Sequence, residues 1–140
     1  MGIITTDSPR RHRVLGELIH GEITEKVIGA AIEVHKHLGP GLLESAYEAC
    51  LCHELQLRGL AFQRQVFLPL DYKGLHVDSA FRMDLVVEDK IIVELKSQEG
   101  ILPVHEAQLM TYLKLTGKRV GLLLNFNVPA MKDGIVRRVL

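Results

Sequence analysis

The first part of the chain carries two apolar patterns with the spacing of an α-helix. The first has apolar residues every three or four positions, at Ile23, Val27, Ala30, Ala31, Val34 and Leu38. Gly39 and Pro40 follow and end this helix. The second has its apolar face at Leu43, Ala46, Tyr47, Cys50, Leu51 and Leu55, and Gly59 stands at the expected C-cap. The pattern therefore predicts two helices in close succession.

After residue 60 the pattern changes to one typical of β-strands. Residues 62–70 are rich in aromatic and β-branched side chains, and Tyr72-Lys73-Gly74 then forms a turn. Apolar residues alternate with Arg82 and Asp84 over 81–87, and with Glu94 and Lys96 over 91–96. These two segments predict a pair of antiparallel strands.

The last third of the chain predicts one more helix and two more strands. Pro103 opens a helix that runs to about Leu115 and ends at Thr116-Gly117. This helix is apolar nearly all round, which predicts burial on two sides. Residues 120–126 predict a buried strand and 135–140 an edge strand. The predicted fold class is therefore α/β, a mixed β-sheet flanked by helices in the order α-α-β-β-β-α-β-β.

Length and charge limit the classes of function. The chain has 140 residues, which is enough for one domain, and its 17 basic residues balance 17 acidic ones. No long-range electrostatic attraction to nucleic acid or anionic membrane follows from this balance. Apolar runs are too short to cross a bilayer, and no signal-peptide segment is present, so we expect a cytoplasmic protein without a membrane partner. Residues 1–20 predict a flexible basic arm before a domain at 21–140.

The connection Glu88-Asp89-Lys90 sets the register of the antiparallel pair. A three-residue loop pairs apolar residues with one another: Val87 with Ile91, Leu85 with Val93, and Met83 with Leu95. It also places Asp84 opposite Glu94, with Lys96 on the same face. A two-residue loop would put Asp84 opposite Leu95 and mix the two faces.

This register brings two acidic side chains together. Directly opposed strand residues have Cβ atoms about 4.5 to 5.5 Å apart, where two carboxylates repel each other unless a positive charge lies between them. Carboxylate ligands suit Mg²⁺ or Mn²⁺. A divalent cation with Lys96 beside it suits in-line attack on a phosphodiester. Arg82 lies across from Lys96 in this register, and two opposed cations make sense if a substrate phosphate lies over them.

Three short motifs together resemble a known nuclease superfamily. Asp84, a gap of nine residues and Glu94-Leu95-Lys96 resemble the PD-(D/E)XK signature, with Met83 where the nominal proline would stand. Residues 41–47 resemble the GxxExxY motif that names a small bacterial and archaeal family in that superfamily. Residues 108–112 resemble the QxxxY motif of one of its branches. The resemblance spans residues 22–137 and implies a restriction-endonuclease-like core.

The resemblance also implies roles for individual residues. It makes Asp84 and Glu94 metal ligands, with the Leu95 carbonyl completing the shell, and Lys96 the catalytic lysine. Its other expected catalytic residues are the helix-borne Glu44, Gln108 and Tyr112. The last two would face the site and orient Lys96, water or phosphate, on a helix side that also carries Val104 and Thr111. His105 begins like a zincin motif, but that motif fails at Leu109. His105 remains a further candidate to face the site, at the substrate phosphate.

Three classes of function remain open at this point. The favoured one is a nuclease that hydrolyses phosphodiesters in DNA with Mg²⁺ or Mn²⁺. The alternative is a catalytically inactive module of the same fold that binds nucleic acid or protein, and a structural protein would use Asp84, Glu94 and Lys96 as an ion-pair cluster. With 5% aromatic residues a stacking platform for single strands is not expected, although Tyr72 and Phe81 are available for one or two contacts. The sequence does not decide whether the substrate is DNA or RNA, or whether cleavage is by an exonuclease or an endonuclease. It also leaves open whether the protein is a homodimer or a monomer.

Overall fold

The computed structural model describes residues 18–140. Most of the predicted basic arm at residues 1–20 lies outside the described residues. The helices are α1 (Gly21–Leu38), α2 (Glu44–Leu57) and α3 (Pro103–Thr116). The strands are β1 (Phe62–Tyr72), β2 (Leu75–Val87), β3 (Ile91–Lys96), β4 (Val120–Asn125) and β5 (Ile135–Val139). A short 3-10 helix that the sequence pattern did not predict, Met131–Gly134, lies between β4 and β5.

The five strands form one mixed sheet in the order β1-β2-β3-β4-β5. Strands β3 and β4 are parallel, and α3 is the crossover between them; the other neighbours are antiparallel. This arrangement confirms the predicted α/β fold class, the order of elements and the edge position of the last strand. It is consistent with a restriction-endonuclease-like fold.

Two apolar clusters cover the two faces of the sheet. Strand residues that alternate along β3 and β4 contribute to one cluster or the other, which explains why these two strands are buried over nearly their whole length. The larger cluster packs α1 and α2 on one face, and the smaller packs α3 on the other. Among residues 18–140, no helix combines the length and the apolar character needed to cross a membrane.

Helix α3 is buried on one side only, so the prediction of burial on two sides was wrong. Its buried residues are Leu109, Tyr112 and Leu113. Val104, Gln108 and Thr111, which were expected to face the sheet beside Tyr112, are exposed. The reason is that α3 is the outermost layer on its face of the sheet, so apolar residues on its outer side have no layer to pack against.

The apolar face of α2 also differs from the predicted one. Leu43 is the N-cap and is 76% exposed, and Cys50 is exposed as well. Glu48 and Cys52 are buried instead. A carboxylate is tolerated in this buried position because it is paired with an arginine of β1, as described below.

The β2–β3 turn has the predicted length of three residues. Glu88 and Asp89 have positive φ values of 53° and 55°, and the Lys90 N–H donates to the Val87 carbonyl at 3.0 Å. The pairs Val87–Ile91 and Leu85–Val93 confirm the predicted register in this part of the sheet. Strand β2 begins six residues earlier than residue 81, so β1 and β2 form a long hairpin that extends past the rest of the sheet.

Candidate active site

Both backbone ladders of β2 are interrupted at Asp84. The ladder between β2 and β3 ends at the Leu85–Val93 pair. The ladder between β1 and β2 skips Asp84 and its opposite residue, Gln65, which has a φ of 53°. A glutamine in this left-handed region is strained, and such strain is found preferentially at functional sites. Asp84 therefore lies where β2 has no backbone ladder pair with either neighbouring strand, a place we call the gap.

Two carboxylates take over the hydrogen bonds that the interrupted ladder lacks. The Asp84 N–H donates to Glu94 Oε2 at 2.7 Å, and the Leu95 N–H donates to Asp84 Oδ2 at 2.9 Å. Each acid thus bonds to the backbone of the opposite strand, which brings the two carboxylates together in the gap. Neither Asp84 Oδ1 nor Glu94 Oε1 accepts a hydrogen bond from the described part of the chain, so both oxygens remain available to a ligand.

The interruption also changes the face on which Met83 lies. Met83 was predicted to pair with Leu95, but it packs in the α3 cluster, whereas Leu95 packs in the cluster of α1 and α2. Strict alternation would keep Met83 on the same face as Leu85. Because the strand is irregular at Asp84, alternation does not continue across it, and the predicted Met83–Leu95 pair was wrong.

Glu94 is held in a position that disfavours its charge. Burial first, and the neighbouring Asp84 carboxylate second, raise the pKa of Glu94 to about 8 against the opposing effects of the Asp84 N–H, Lys96 and Arg82. Glu94 is only 4% exposed to solvent. A cation beside Glu94 would remove both causes of the shift, because it would compensate for lost hydration and for the adjacent negative charge.

The pKa of Asp84 is raised as well. Burial is the largest cause, and the negative charges of Glu48 and Glu44 add to it, whereas the Leu95 N–H and Lys96 act in the opposite direction. Four acidic side chains thus share one electrostatic environment near the end of β3.

Lys96 is the last residue of β3 and stands beside the two acids. It forms no ion pair with any residue of the described chain, so the ion-pair cluster considered above lacks its expected contacts. The Lys96 carbonyl accepts a hydrogen bond from the Phe126 N–H at 2.9 Å, on the β4 side. Along a strand successive residues direct their N–H and C=O groups to alternate sides, so the Leu95 carbonyl points into the gap, as the Leu95 N–H does.

The oxygen atoms in the gap fit a small hard cation. Within residues 18–140, no group of three or more His, Cys, Asp or Glu side chains is close enough to hold a metal. The oxygens that meet in the gap are those of the Asp84 and Glu94 carboxylates, with the Leu95 carbonyl on the same side of β3. Mg²⁺ is usually held by one or two carboxylates and completes its shell with water and substrate phosphate, so this donor set is sufficient.

Helix α2 presents two acids toward this gap. Glu44, the first residue of α2, is exposed and acts on Asp84 through its charge. Glu48, one turn further, is buried, and its Oε2 accepts hydrogen bonds from Arg64 Nε at 3.1 Å and Nη2 at 3.0 Å. Gln65 Nε2 donates to Glu48 Oε1 at 2.8 Å. The sequence analysis missed Glu48, although its spacing of four from Glu44 was a signal that both share one helix face.

The GxxExxY residues hold the loop that leads into α2. Tyr47 donates its hydroxyl hydrogen bond to the Gly39 carbonyl and accepts one from the Leu42 N–H at 3.1 Å. Its ring stacks on Phe126, with centroids 4.5 Å apart. The Ser97 hydroxyl donates to the Leu42 carbonyl at 2.5 Å. The loop is thereby joined to the residue that follows Lys96, which fixes the start of α2 relative to the end of β3.

Helix α3 contacts the site through Tyr112. Its hydroxyl donates to the Arg82 carbonyl at 3.0 Å, two residues before Asp84 in β2. Gln108, one turn earlier, is exposed and forms no hydrogen bond within the described chain. Gln108, Tyr112 and Arg82 border a common cavity. Neither Gln108 nor Tyr112 has a hydrogen bond to Lys96, and the Tyr112 hydroxyl bonds to the backbone of β2 instead.

His105 lies in the first turn of α3. The Leu102 N–H donates to His105 Nδ1 at 3.0 Å, so the ring proton of the neutral imidazole lies on Nε2. The Gln98 side-chain amide lies 3.4 Å from both ring nitrogens. Burial and the charge of Lys96 lower the pKa of His105, against the effect of Glu44, and so favour its neutral ring. His105 therefore belongs to the electrostatic environment of Lys96 and Glu44.

The chain after Lys96 is held by a residue that the sequence analysis did not identify. Asn125 is buried; its Oδ1 accepts from the Gln98 N–H at 3.2 Å, and its Nδ2 donates to the Gln98 carbonyl at 2.9 Å. An asparagine at the end of a buried strand, opposite Lys96 in the parallel register, was the available signal. This pair of hydrogen bonds fixes the exit of β3.

Comparison with known protein families agrees with this geometry. The sequence model of the PD-(D/E)XK nuclease superfamily matches residues 21–139. The chain therefore belongs to the PD-(D/E)XK nuclease superfamily, whose members are usually metal-dependent nucleases. Searches of curated proteins and of solved structures found no significant match.

Proposed function

We propose that this protein is a metal-dependent nuclease that hydrolyses phosphodiester bonds in DNA. The observation that carries the proposal is the pair of carboxylates, Asp84 and Glu94, brought together in the interrupted ladder between β2 and β3. Each has one oxygen free of protein hydrogen bonds, and both have raised pKa values. A purely structural role would not require a buried and a half-buried acid side by side with no lysine paired to either.

The proposed metal ligands are the Asp84 and Glu94 carboxylates and the Leu95 carbonyl, and the proposed metal is Mg²⁺ or Mn²⁺. When bound, such a cation stabilises negative charge on phosphorus oxygens and lowers the pKa of water. Two protein hydrogen bonds already orient one oxygen of each acid, so the free oxygens are held in place before a ligand arrives.

Lys96 is the proposed catalytic lysine. It places a fixed positive charge beside the carboxylates, where it would stabilise charge that develops on the scissile phosphate. Arg82 is a proposed phosphate contact on β2, and the His105 Nε2–H is a proposed donor to a phosphate oxygen. Glu44, exposed at the start of α2, is a proposed general base for water on the α2 side of the gap.

Gln108 is the proposed phosphate-orienting residue of α3, and Tyr112 is proposed to position β2. The hydrogen bonds of Tyr47 in the loop before α2, and the positive φ of 95° at Gly41 that favours glycine, support the assignment of the chain to the GxxExxY family. These residues join the α2 start to Ser97, next to the catalytic lysine. The motif would thus preserve the alignment of the Glu44 carboxylate with Lys96.

The test is cleavage of supercoiled plasmid and of single-stranded DNA with Mg²⁺, Mn²⁺ or EDTA. We expect cleavage with either metal, none with EDTA, and a loss of at least about 100-fold for Lys96→Ala, as for other positioned transition-state donors. Lys90→Ala is the matched control, because it removes the same charge at the turn before β3, at the opposite end of that strand. Lys90→Ala should cleave at the wild-type rate.

Two results would contradict the proposal. Equal loss in Lys96→Ala and Lys90→Ala would show a general effect of charge rather than catalysis. Metal-dependent binding of DNA without cleavage of any substrate would favour the inactive binding module of the same fold.

A further inference from the structure

An exposed aromatic ring and an arginine stand side by side on the β1–β2 hairpin. Phe67 and Arg82 are direct partners in the ladder, so their side chains leave the same face of the hairpin. Their neighbours Val66, Leu68 and Phe81 pack against the α3 cluster. Phe67 and Arg82 therefore project from the face that α3 does not cover, and Phe67 is 56% exposed.

This pair is continuous with the proposed active site. Arg82 precedes Asp84 by two residues, a distance of about 7 Å along a strand. That distance resembles one step from nucleotide to nucleotide in an extended strand. The charge of Arg82 also reaches the site, because it lowers the pKa of Glu94. A DNA strand with one phosphate at the carboxylates would thus place the next nucleotide over Phe67 and Arg82.

The chemistry of the pair fits a nucleotide with an unpaired base. Arg82 forms no ion pair in the described chain, so its guanidinium is available to a phosphate. An exposed phenylalanine ring stacks any base whose face is free, irrespective of its identity. A base inside a duplex could not use this ring, since both of its faces are already stacked.

Other aromatic residues are less suited to this role. Phe81, which the sequence made available for stacking, packs edge-on against Tyr112 with centroids 6.1 Å apart. Tyr72 is 59% exposed and has Lys73 over its ring, but it lies at the tip of the hairpin. The start of β2 is nine residues before Asp84, or about 30 Å along the strand. Among the aromatic side chains of residues 18–140, Phe67 alone combines exposure with proximity to Asp84.

We propose that Phe67 and Arg82 bind one unpaired nucleotide next to the scissile phosphate, so that the protein prefers single-stranded DNA to duplex DNA. This inference rests on the proposed nuclease function and adds its substrate class. Phe67 stacks on the base, and Arg82 binds the phosphate of that nucleotide.

The first experiment measures binding by fluorescence anisotropy, with a labelled 12-mer in single-stranded and duplex form. Ca²⁺ replaces Mg²⁺, and a gel verifies that the DNA is intact at the end. Wild type should bind the single strand more tightly. Phe67→Ala should weaken single-strand binding roughly 5- to 150-fold, as expected for the loss of one base–aromatic stack, with little effect on duplex binding. Tyr72→Ala is the matched control and should change the Kd less than twofold.

The second experiment locates the stacked base. A single abasic nucleotide is moved along the 12-mer. In wild type one position should weaken binding, and in Phe67→Ala the same substitution should have no further effect, because the two changes remove one interaction. Phe67 is exposed, so its replacement leaves the core intact, and unchanged melting temperatures would verify this.

The outcomes separate this inference from the proposed function. Single-strand preference that depends on Phe67 in a protein without cleavage would uphold the nucleotide site and reject the nuclease. Cleavage with equal binding of Phe67→Ala and Tyr72→Ala would uphold the nuclease and reject the nucleotide site. Tighter binding of the duplex, no binding of single-stranded DNA by wild type, or independent effects of the abasic site and Phe67→Ala would also reject it.

Discussion

At the scale of single residues, the molecule keeps two acids together at an electrostatic cost. Asp84 and Glu94 each accept one backbone N–H, which partly offsets that cost and orients both groups. Burial and mutual repulsion still raise the pKa of Glu94. Functional sites commonly lower the stability of the fold in this way, and the loss of stability is measured by substituting the residues concerned.

Asp84→Asn should leave the stability of the metal-free protein unchanged or raise it by up to about 2 kcal/mol. The asparagine oxygen can still accept the Leu95 N–H, while the negative charge next to Glu94 is gone. The same variant should lose metal binding. Thermal melts in EDTA and in Mg²⁺ measure both effects. Strong destabilisation in EDTA would mean that the carboxylate is a stabilising partner in an ion pair.

The stability of the metal-free protein should depend on pH through Glu94. Its pKa is about 8 in the folded protein and about 4.5 without the fold, so between these values the folded state retains a proton that the unfolded state has lost. Stability therefore falls as pH rises from about 5 to about 8. Glu94→Gln should flatten this part of the profile. Thermal melts in EDTA between pH 5 and pH 8 measure how stability depends on pH. Equal slopes for wild type and Glu94→Gln would show that Glu94 does not cause the dependence.

At the scale of elements, two adjacent residues of α3 are expected to have different roles, one in packing and one in cleavage. Leu109 is fully buried against the sheet, where a Cβ on Gly121 would approach to 2.6 Å, whereas Gln108 faces solvent. Leu109→Ala should cost about 2–5 kcal/mol of stability. Gln108→Ala should cost less than about 0.5 kcal/mol but should lower the metal-dependent cleavage rate. Melting temperature and cleavage rate are measured for Leu109→Ala and for Gln108→Ala. If the two variants lose melting temperature and cleavage rate to a similar extent, Gln108 has only a packing role.

The loop between α1 and α2 depends on one hydroxyl group. Tyr47→Phe removes the donor to the Gly39 carbonyl and the acceptor for the Leu42 N–H, so it should destabilise the protein by about 1–3 kcal/mol. Cleavage should also slow, because the loop aligns α2 with Ser97. Tyr72→Phe is the control, since the Tyr72 hydroxyl forms no hydrogen bond within residues 18–140. Equal melting temperatures for the two variants would show that the loop is held by packing alone.

At the scale of the whole molecule, charge balance limits how the protein holds DNA. Its 17 basic and 17 acidic residues provide no broad positive field, so phosphate contacts should come from few residues near the site. With Lys96 and Arg82 as the two contacts, the logarithm of the single-strand association constant should fall with the logarithm of salt concentration with a slope of about −1.4. Anisotropy titrations from low to moderate salt measure the slope. A value beyond about −4 would require a wider basic surface.

The sequence by itself determined the order of elements and the register of the β2–β3 turn. Both depend on local signals, namely apolar periodicity and a three-residue turn. Both could therefore be predicted without knowing which helices and strands pack against each other. It also identified Asp84, Glu94 and Lys96, because their spacing along two consecutive strands suffices to bring the acids close together. The family assignment rests on this same local information.

Only the tertiary structure decided how those residues are arranged. The left-handed backbone of Gln65 and the exchange of carboxylates for ladder bonds interrupt β2, and no periodicity predicts an interruption. The buried Glu48–Arg64 pair and the open position of Phe67 depend on contacts between elements far apart in sequence. Such contacts are settled when side chains compete for space and hydrogen bonds in the packed fold, which is why the chain's pattern alone could not show them.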